Sequence, residues 1–269
     1  MNAFAIHFSH EFRTGVRNWS LLLMTYLFPL GFFLMMALIM PGLNPFFLPV
    51  MVPAMVVFAI LAATLLGLPD PLVQAREAGI FRSYKINGIP VASILLIPAL
   101  TTALHLAIVV AIITVVGGAA FGAPLPQSWT GFLLTFAATT LACGGLSVLI
   151  GVASASSRVQ LLWSQMIFLP SMLLGGLMIP WGQLPPAAAK VALLLPATHA
   201  MNAFKGLAMG GPADFDPWLS IATLTASGVL GFALAVYLFS WDRHSTKRRG
   251  HPALALLVLV PYVVAIVVM

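Results

Sequence analysis

Long apolar runs, broken by short clusters of charge, set the layout of this chain. No Asp, Glu, Lys or Arg occurs between Arg17 and Asp70, between Lys85 and Arg158, between Arg158 and Lys190, between Asp216 and Asp242, or after Arg249. A helix needs about 20 apolar residues to cross a bilayer. Each of the two longest gaps therefore has room for two spans, and the later ones for one each. The pattern predicts spans at roughly 19–40, 46–69, 91–117, 129–153, 159–180 and 218–241, with a seventh at 252–269. Pro41-Gly42-Leu43-Asn44-Pro45 separates the first two, and Gly122, Pro124 and Pro126 separate the third from the fourth. Trp129 and Trp218 fall at predicted helix ends, where amphipathic rings favour the headgroup level. The chain reads as an all-α polytopic membrane protein.

Residues 1–18 follow a different pattern. At 100° per residue Phe4, Ala5, Phe8, Phe12 and Val16 share one arc, while His7, His10, Glu11, Arg13, Thr14 and Arg17 cover the rest. This suits a helix lying in the membrane interface, rings down and charges up. The alternative is a cytoplasmic helix packed on a partner.

Composition narrows the class. Of 269 residues 61% are hydrophobic and 7% charged, against about 25% charged in a soluble domain. That excludes an ordinary cytosolic enzyme and a disordered chain. Cys143 stands alone, so neither an intrachain disulfide nor a cysteine-rich metal site is expected. The basic residues set the orientation. Arg13, Arg17, Arg76, Arg82, Lys85, Arg158, Arg243, Lys247, Arg248 and Arg249 fall on one side of the predicted spans, and only Lys190 and Lys205 on the other. The basic side is cytoplasmic, which places the N-terminus inside. The net charge of +6 then reflects topology and anionic membrane lipids rather than nucleic acid. No cleavable signal peptide is expected, because the start lacks a basic n-region and a small-residue cleavage site.

The loop at 70–90 is longer than a connection between two spans requires. Asp70-Pro71 predicts a helix start, Gly79 interrupts it, and Asn87-Gly88 predicts a turn before Pro90. Arg76, Glu77, Arg82, Tyr84 and Lys85 lie between. The loop has the size and charge of a docking element; the alternative is a solvated connector whose basic residues only obey the topology rule.

Three stretches, in order, carry a family resemblance. Gln74-Ala75-Arg76-Glu77-Ala78-Gly79-Ile80-Phe81-Arg82, running on to Gly88-Ile89-Pro90, resembles the cytoplasmic loop of type-2 ATP-binding-cassette (ABC) permeases, with its Arg-Glu-x-Gly core. His10-Glu11-Phe12-Arg13, then Val16-Arg17-Asn18 and an apolar run with Pro29, resembles their N-terminal segment. Phe168-Leu169-Pro170-Ser171, through Gly175-Gly176, Ile179-Pro180 and Leu184-Pro185-Pro186 to Pro196-Ala197-Thr198-His199, resembles their last part. The chain departs from the family at Ala75, where an acid is common, and in its apolar tail beyond six spans.

The resemblance implies the membrane permease subunit of an ABC exporter, with a six-span domain at 19–241 and a basic loop and further span at 242–269. The chain has no Gly-x-x-x-x-Gly-Lys-Ser/Thr phosphate loop, so it is expected to be no enzyme by itself and to bind no cofactor. ATP and Mg would sit on a separate ABC ATPase, present in two copies, and a second permease copy, identical or paralogous, would complete a dimer. By the same resemblance the loop at 70–90 is the coupling element, carried by Arg76, Glu77, Gly79, Arg82, Tyr84 and Lys85. Residues 181–214 would be re-entrant outer helices whose gate includes Pro180, Leu184, Pro196 and His199. Spans two and five would line the dimer interface.

A substrate path needs adaptable side chains. Met51, Met55 and Phe58 on span two and Met166, Phe168 and Met172 on span five suit it, although such residues more often face lipid or neighbouring helices. Ser147, Gly151 and Ala155 form a small-residue face on span four. His105, one turn from Thr101 and Thr102, is an intramembrane ionisable group, or else a neutral imidazole held by a Thr or a carbonyl. Gln160, Ser164 and Gln165 could meet an entering headgroup or cap their helix.

The reading is an ATP-driven exporter of a lipophilic or amphipathic, drug- or lipid-like compound. A polysaccharide or glycolipid exporter is the alternative, but no cluster of aromatic sugar platforms is present. An ion-coupled transporter normally needs carboxylates in the bilayer. Here Glu11, Asp70, Glu77, Asp214, Asp216 and Asp242 all lie outside the predicted spans. No His-x-x-x-His pair, carboxylate pair or Ser-Lys dyad within a span suggests a membrane-embedded enzyme.

Overall fold

The computed structural model describes residues 19–44, 47–242 and 250–269. The amphipathic N-terminal segment, with Phe4, Phe8, Phe12, Arg13 and Arg17, lies outside the described residues, as does the basic run 243–249. Every regular element among the described residues is helical.

A short turn, Trp19–Leu22, and a π turn, Leu23–Leu27, lead into α1 (Phe28–Leu43). Pro29 explains the π turn. It has no N–H to give the carbonyl four residues back and its ring would clash there. The amide of Phe28 instead reaches five residues back, to Leu23 O. α1 also continues through Pro41 and Gly42 to Leu43, three residues beyond the predicted end at 40.

The second rod is the axis of the molecule. A 3-10 turn, Leu48–Val50, starts α2 (Met51–Leu61), and a π turn, Ala62–Leu66, joins it to α3 (Pro69–Glu77). The run Leu48–Glu77 forms one rod, helical except for a turn at Gly67-Leu68, and its most apolar window is 83% buried. Every residue of α2 is buried. The helix therefore does not stop at 69, and Asp70 is no N-cap. The cap position falls on Leu68, which makes no side-chain cap bond, and the Asp70 carboxylate accepts from Gln74 Nε2 at 2.6 Å. Prolines at 69 and 71 sit in the first turn of α3, where their missing N–H groups cost little.

α4 (Ile80–Ile86) follows α3 through Gly79, whose φ of 73° only glycine adopts without strain. Ile89 N donates to Tyr84 O at 3.0 Å and Gly88 N to Lys85 O at 3.2 Å, which closes α4 with the left-handed glycine cap that Asn87-Gly88 predicts. α5 (Val91–Phe121) and α6 (Trp129–Ala153) come next, α6 capped by Ser128, whose hydroxyl accepts from Gly131 N. α7 (Ser157–Leu174) is capped by Ser156 and stops at Leu174, six residues before the predicted end of span five. Gly175 and Gly176 break it there, and 175–180 run as irregular chain. A 3-10 turn (Trp181–Gln183), α8 (Pro186–Ala192), α9 (Pro196–Ala203) and a π turn (Phe204–Ala208) precede α10 (Pro217–Leu238). Asp216 caps α10 by accepting from Trp218 N at 2.9 Å.

Five helices among the described residues are long and apolar enough to cross a membrane: Leu23–Leu43, Leu48–Glu77, Val91–Phe121, Trp129–Ala153 and Pro217–Leu238. α7 has 18 residues but carries Arg158, Gln160, Ser164 and Gln165. The closest helix pair is α6 with α10. A Cβ on Gly145 would come 2.4 Å from Gly228 O, and one on Gly231 would meet Gly145 backbone at 2.8 Å. This glycine seam was not apparent from the sequence. The small-residue face expected on span four reaches another neighbour, since Gly151 faces Pro69 and Leu72 of α3.

The tail forms a 3-10 segment, Pro252–Leu259, and α11 (Val260–Val268), which together run antiparallel to α10. Gly250 lies beside Tyr237 and Leu238 at the end of α10. Tyr262 reaches Ser227, half-way along it, with the two hydroxyls 2.9 Å apart.

Candidate functional site

The elbow α3–Gly79–α4 divides its charged residues between two roles. Glu77, Arg82 and Lys85 are exposed, together with Ile80 and Ile86; Tyr84 is half-buried. Arg76, expected on the docking face, is instead buried. Its guanidinium donates to Val152 O at 2.9 Å and to Ser154 O. Those carbonyls end α6, where a helix leaves its last acceptors unpaired and favours a cation. One turn of α3 therefore points Arg76 inward and Glu77 outward.

Two further contacts fasten the elbow. Arg82 pairs with Asp242, beyond the end of α10. Phe81 packs inward on Phe239, ring centroids 5.1 Å apart, and Phe239 in turn meets Trp241 edge-on at 5.1 Å. Asp242 and Phe239 were not singled out by the sequence reading. The only signal was an acid at the end of a predicted span, with nothing to say it would meet Arg82.

The candidate path residues do not lie on one surface. Met51, Met55 and Phe58 are fully buried inside this chain, because α2 is surrounded by other helices. Phe168 joins them, 5.9 Å from Phe58, which also stacks on Phe32 at 4.1 Å. Met166 is 63% exposed and Met172 is intermediate. Two residues apart on a helix is about 200°, so Phe168 and Met166 face opposite ways. Leu162, Met166, Leu169 and Leu173 form an exposed apolar stripe on α7. Gln160 and Ser164 are buried and bonded to each other at 2.9 Å. The partner of His105 is the Tyr26 hydroxyl, 2.7 Å from Nδ1; Thr101 bonds Ile97 O in its own helix.

Of the residues expected at the outer gate, Pro180 is exposed, Leu184 is half-buried, and Pro196 opens α9. His199 is completely buried. Its Nε2 lies 2.9 Å from Leu193 O, so that nitrogen donates. The ring sits between Phe215 and Tyr262, at 5.5 and 5.4 Å. Tyr262 belongs to the tail, so the last helix and α9 meet at this residue. Among the described residues no three His, Cys, Asp or Glu side chains gather as a metal site would need.

A helical, multi-pass membrane body, a short charged elbow on one side and broken apolar helices on the other define a transporter membrane domain. The family model for the ABC-2 type transporter matches residues 2–209. The chain belongs to that family and is a type-2 ABC permease subunit. The match stops before α10 and the tail. No curated protein and no solved structure matches the chain.

Proposed function

We propose that this chain is the transmembrane subunit of an exporter that moves a lipophilic or amphipathic compound outward across the cell membrane by alternating access. A separate ABC ATPase, in two copies and holding ATP and Mg, supplies the energy, and a second permease copy completes the path. The N-terminus is cytoplasmic, on the side of the elbow.

The observation that carries this reading is the elbow. Its exposed face offers Glu77, Ile80, Arg82, Lys85 and Ile86, a mixture of charge and apolar surface that fits a protein groove. Its buried face holds two helix ends, α6 through Arg76 and the end of α10 through Phe81, and the exposed Arg82 adds an ion pair to Asp242 just beyond α10. A push on the elbow would therefore reach two membrane helices at once. Coupling needs contacts that differ between the two states of the transporter, and these fastenings are candidates for them. Burial of Met51, Met55 and Phe58 supports a path that opens only when α2 moves against its neighbours.

The test is reconstitution. The purified chain alone should hydrolyse no ATP, and adding the cognate ATPase should give a stable complex that turns over ATP and exports in vesicles. Robust ATP hydrolysis by the isolated chain would overturn the reading.

A further inference from the structure

A cavity of about 190 Å³ opens in the outer half of the molecule, lined by Gly176, Leu177, Met178, Trp181, Lys205 and Asp214 among others. Two features suit it to a polar ligand. The first is an ion pair in its wall. Lys205 Nζ donates to Asp214 Oδ2 at 2.7 Å, yet the side chains remain 26% and 23% exposed. An ammonium has three donors and a carboxylate about four acceptor sites, so most of each group's capacity is unused. The Asp214 backbone is held in place. Asn202 Oδ1 accepts from the amides of Asp214 and Phe215, and its Nδ2 donates to Phe215 O and Ser220 Oγ.

The second feature is backbone. Gly175 has near-helical angles, φ −75° and ψ 5°, and Gly176 has φ +89°. A helical residue followed by a left-handed one turns successive amides into a concavity that suits anions. Gly175 N donates to Ser171 O, but among the described residues no backbone bond takes the N–H of Gly176, Leu177 or Met178. Irregular backbone at membrane depth persists where it lines a wet cavity or is covered by protein. Here the three residues line the cavity.

We propose that this cavity binds a zwitterionic phosphate–ammonium headgroup. The phosphate takes the Lys205 ammonium and the amides of 176–178, and the ligand's ammonium lies on the Asp214 carboxylate. A plain anion would meet the Asp214 charge and a plain cation the Lys205 charge. A zwitterion satisfies both and leaves the site neutral. The same chemistry comes from a membrane lipid headgroup or from a free solute, and the site works whether or not ATP drives the protein.

The test uses the purified full chain. Glycerophosphoethanolamine is titrated and followed by ³¹P line broadening, beside inorganic phosphate and ethanolamine as the two halves. The whole headgroup should saturate, and each half should bind at least about tenfold more weakly. Asp214→Asn keeps Lys205 and the backbone, so it should weaken the headgroup by a similar factor while leaving phosphate unchanged or tighter. The double swap Lys205→Asp with Asp214→Lys retains an ion pair but moves the charges, and should abolish binding with little change in melting temperature. Native mass spectrometry from nanodiscs distinguishes the sources. Retained phosphatidylethanolamine that Asp214→Asn loses places the ligand in the bilayer, and saturable binding of the free headgroup without retained lipid places it in solution. No saturable binding of either, or binding indifferent to Asp214→Asn and to the swap, would overturn the proposal and leave the ion pair a structural tie.

Discussion

The ring of Tyr262, on the last helix, lies 5.4 Å from the ring of His199, on the first turn of α9. The same Tyr262 hydroxyl is 2.9 Å from Ser227 Oγ on α10. One side chain from the tail therefore touches both α9 and α10. The tail, like α10, lies outside the part of the chain that matches the family model.

The weight of the Tyr262 contacts can be measured in two steps. Tyr262→Phe removes only the hydroxyl contact, and interhelical hydrogen bonds in membranes average about 0.6 kcal/mol, so the melting temperature in detergent should change little. Tyr262→Ala also removes a ring that is 2% exposed and leaves a cavity, which costs roughly 3–5 kcal/mol for buried aromatics. A drop for Ala several times that for Phe is expected. Equal drops would mean that the hydroxyl, not the packing, holds the tail.

A second prediction concerns the glycine seam. Gly145→Ala puts a methyl 2.4 Å from Gly228 O, a backbone atom that cannot step aside. Its neighbour Gly144 meets only Phe232 Cζ at 3.7 Å, an ordinary contact. Gly145→Ala should cost about 1–3 kcal/mol by forcing α6 and α10 apart. Gly144→Ala should be neutral or slightly stabilising, since alanine favours helix. Thermal unfolding of the two variants side by side checks this.

How far these features could be read in advance depends on what sets them. The predicted limits 91–117 and 129–153 stand close to α5 and α6, and 218–241 close to α10, because charge gaps, the Gly-Pro break at 122–126 and the terminal Trp129 and Trp218 are local signals. The end of α7 at Leu174 was not legible, since Gly175-Gly176 sits in a stretch that is apolar on both sides. Arg76 was legible as part of a charged loop but not as inward-facing. Its partners, Val152 O and Ser154 O, are backbone atoms seventy-odd positions away, and no pattern in the sequence marks them. Met51, Met55 and Phe58 read as a path because they are large and adaptable; only the packing places them around a central helix.

The elbow gives a third prediction with separable outcomes. Glu77→Arg changes an exposed charge and should weaken association with the ATPase while leaving the permease folded. Arg76→Ala removes a buried cation from the end of α6. It leaves carbonyls without their donor, at roughly 1–3 kcal/mol, and should lower both stability and coupled transport. Pull-down of the ATPase and melting temperature, measured on both variants, distinguish a docking residue from an internal tie. If Glu77→Arg binds the ATPase and transports at the normal rate, the exposed face is only a connector.

The last prediction is that residues 252–268 cross the membrane. Counted as α-helix, 17 residues reach about 26 Å, short of a hydrocarbon core of about 30 Å. The segment is not all α-helix. Pro252–Leu259 is 3-10, which rises about 2.0 Å per residue. Eight such residues and the nine of α11 together reach about 29 Å. The direction agrees. The segment starts beside Tyr237 and Leu238, at the C-terminal end of α10, passes Ser227, and continues towards the opposite end at Pro217. Leu256, Val260, Val263, Val264, Val267 and Val268 are exposed, an apolar face that suits lipid rather than water. Met269→Cys, in a chain with the buried Cys143 replaced by alanine, should react with an impermeant thiol reagent on intact cells. Labelling only after the membrane is opened would show that the tail packs against α10 without emerging on the far side.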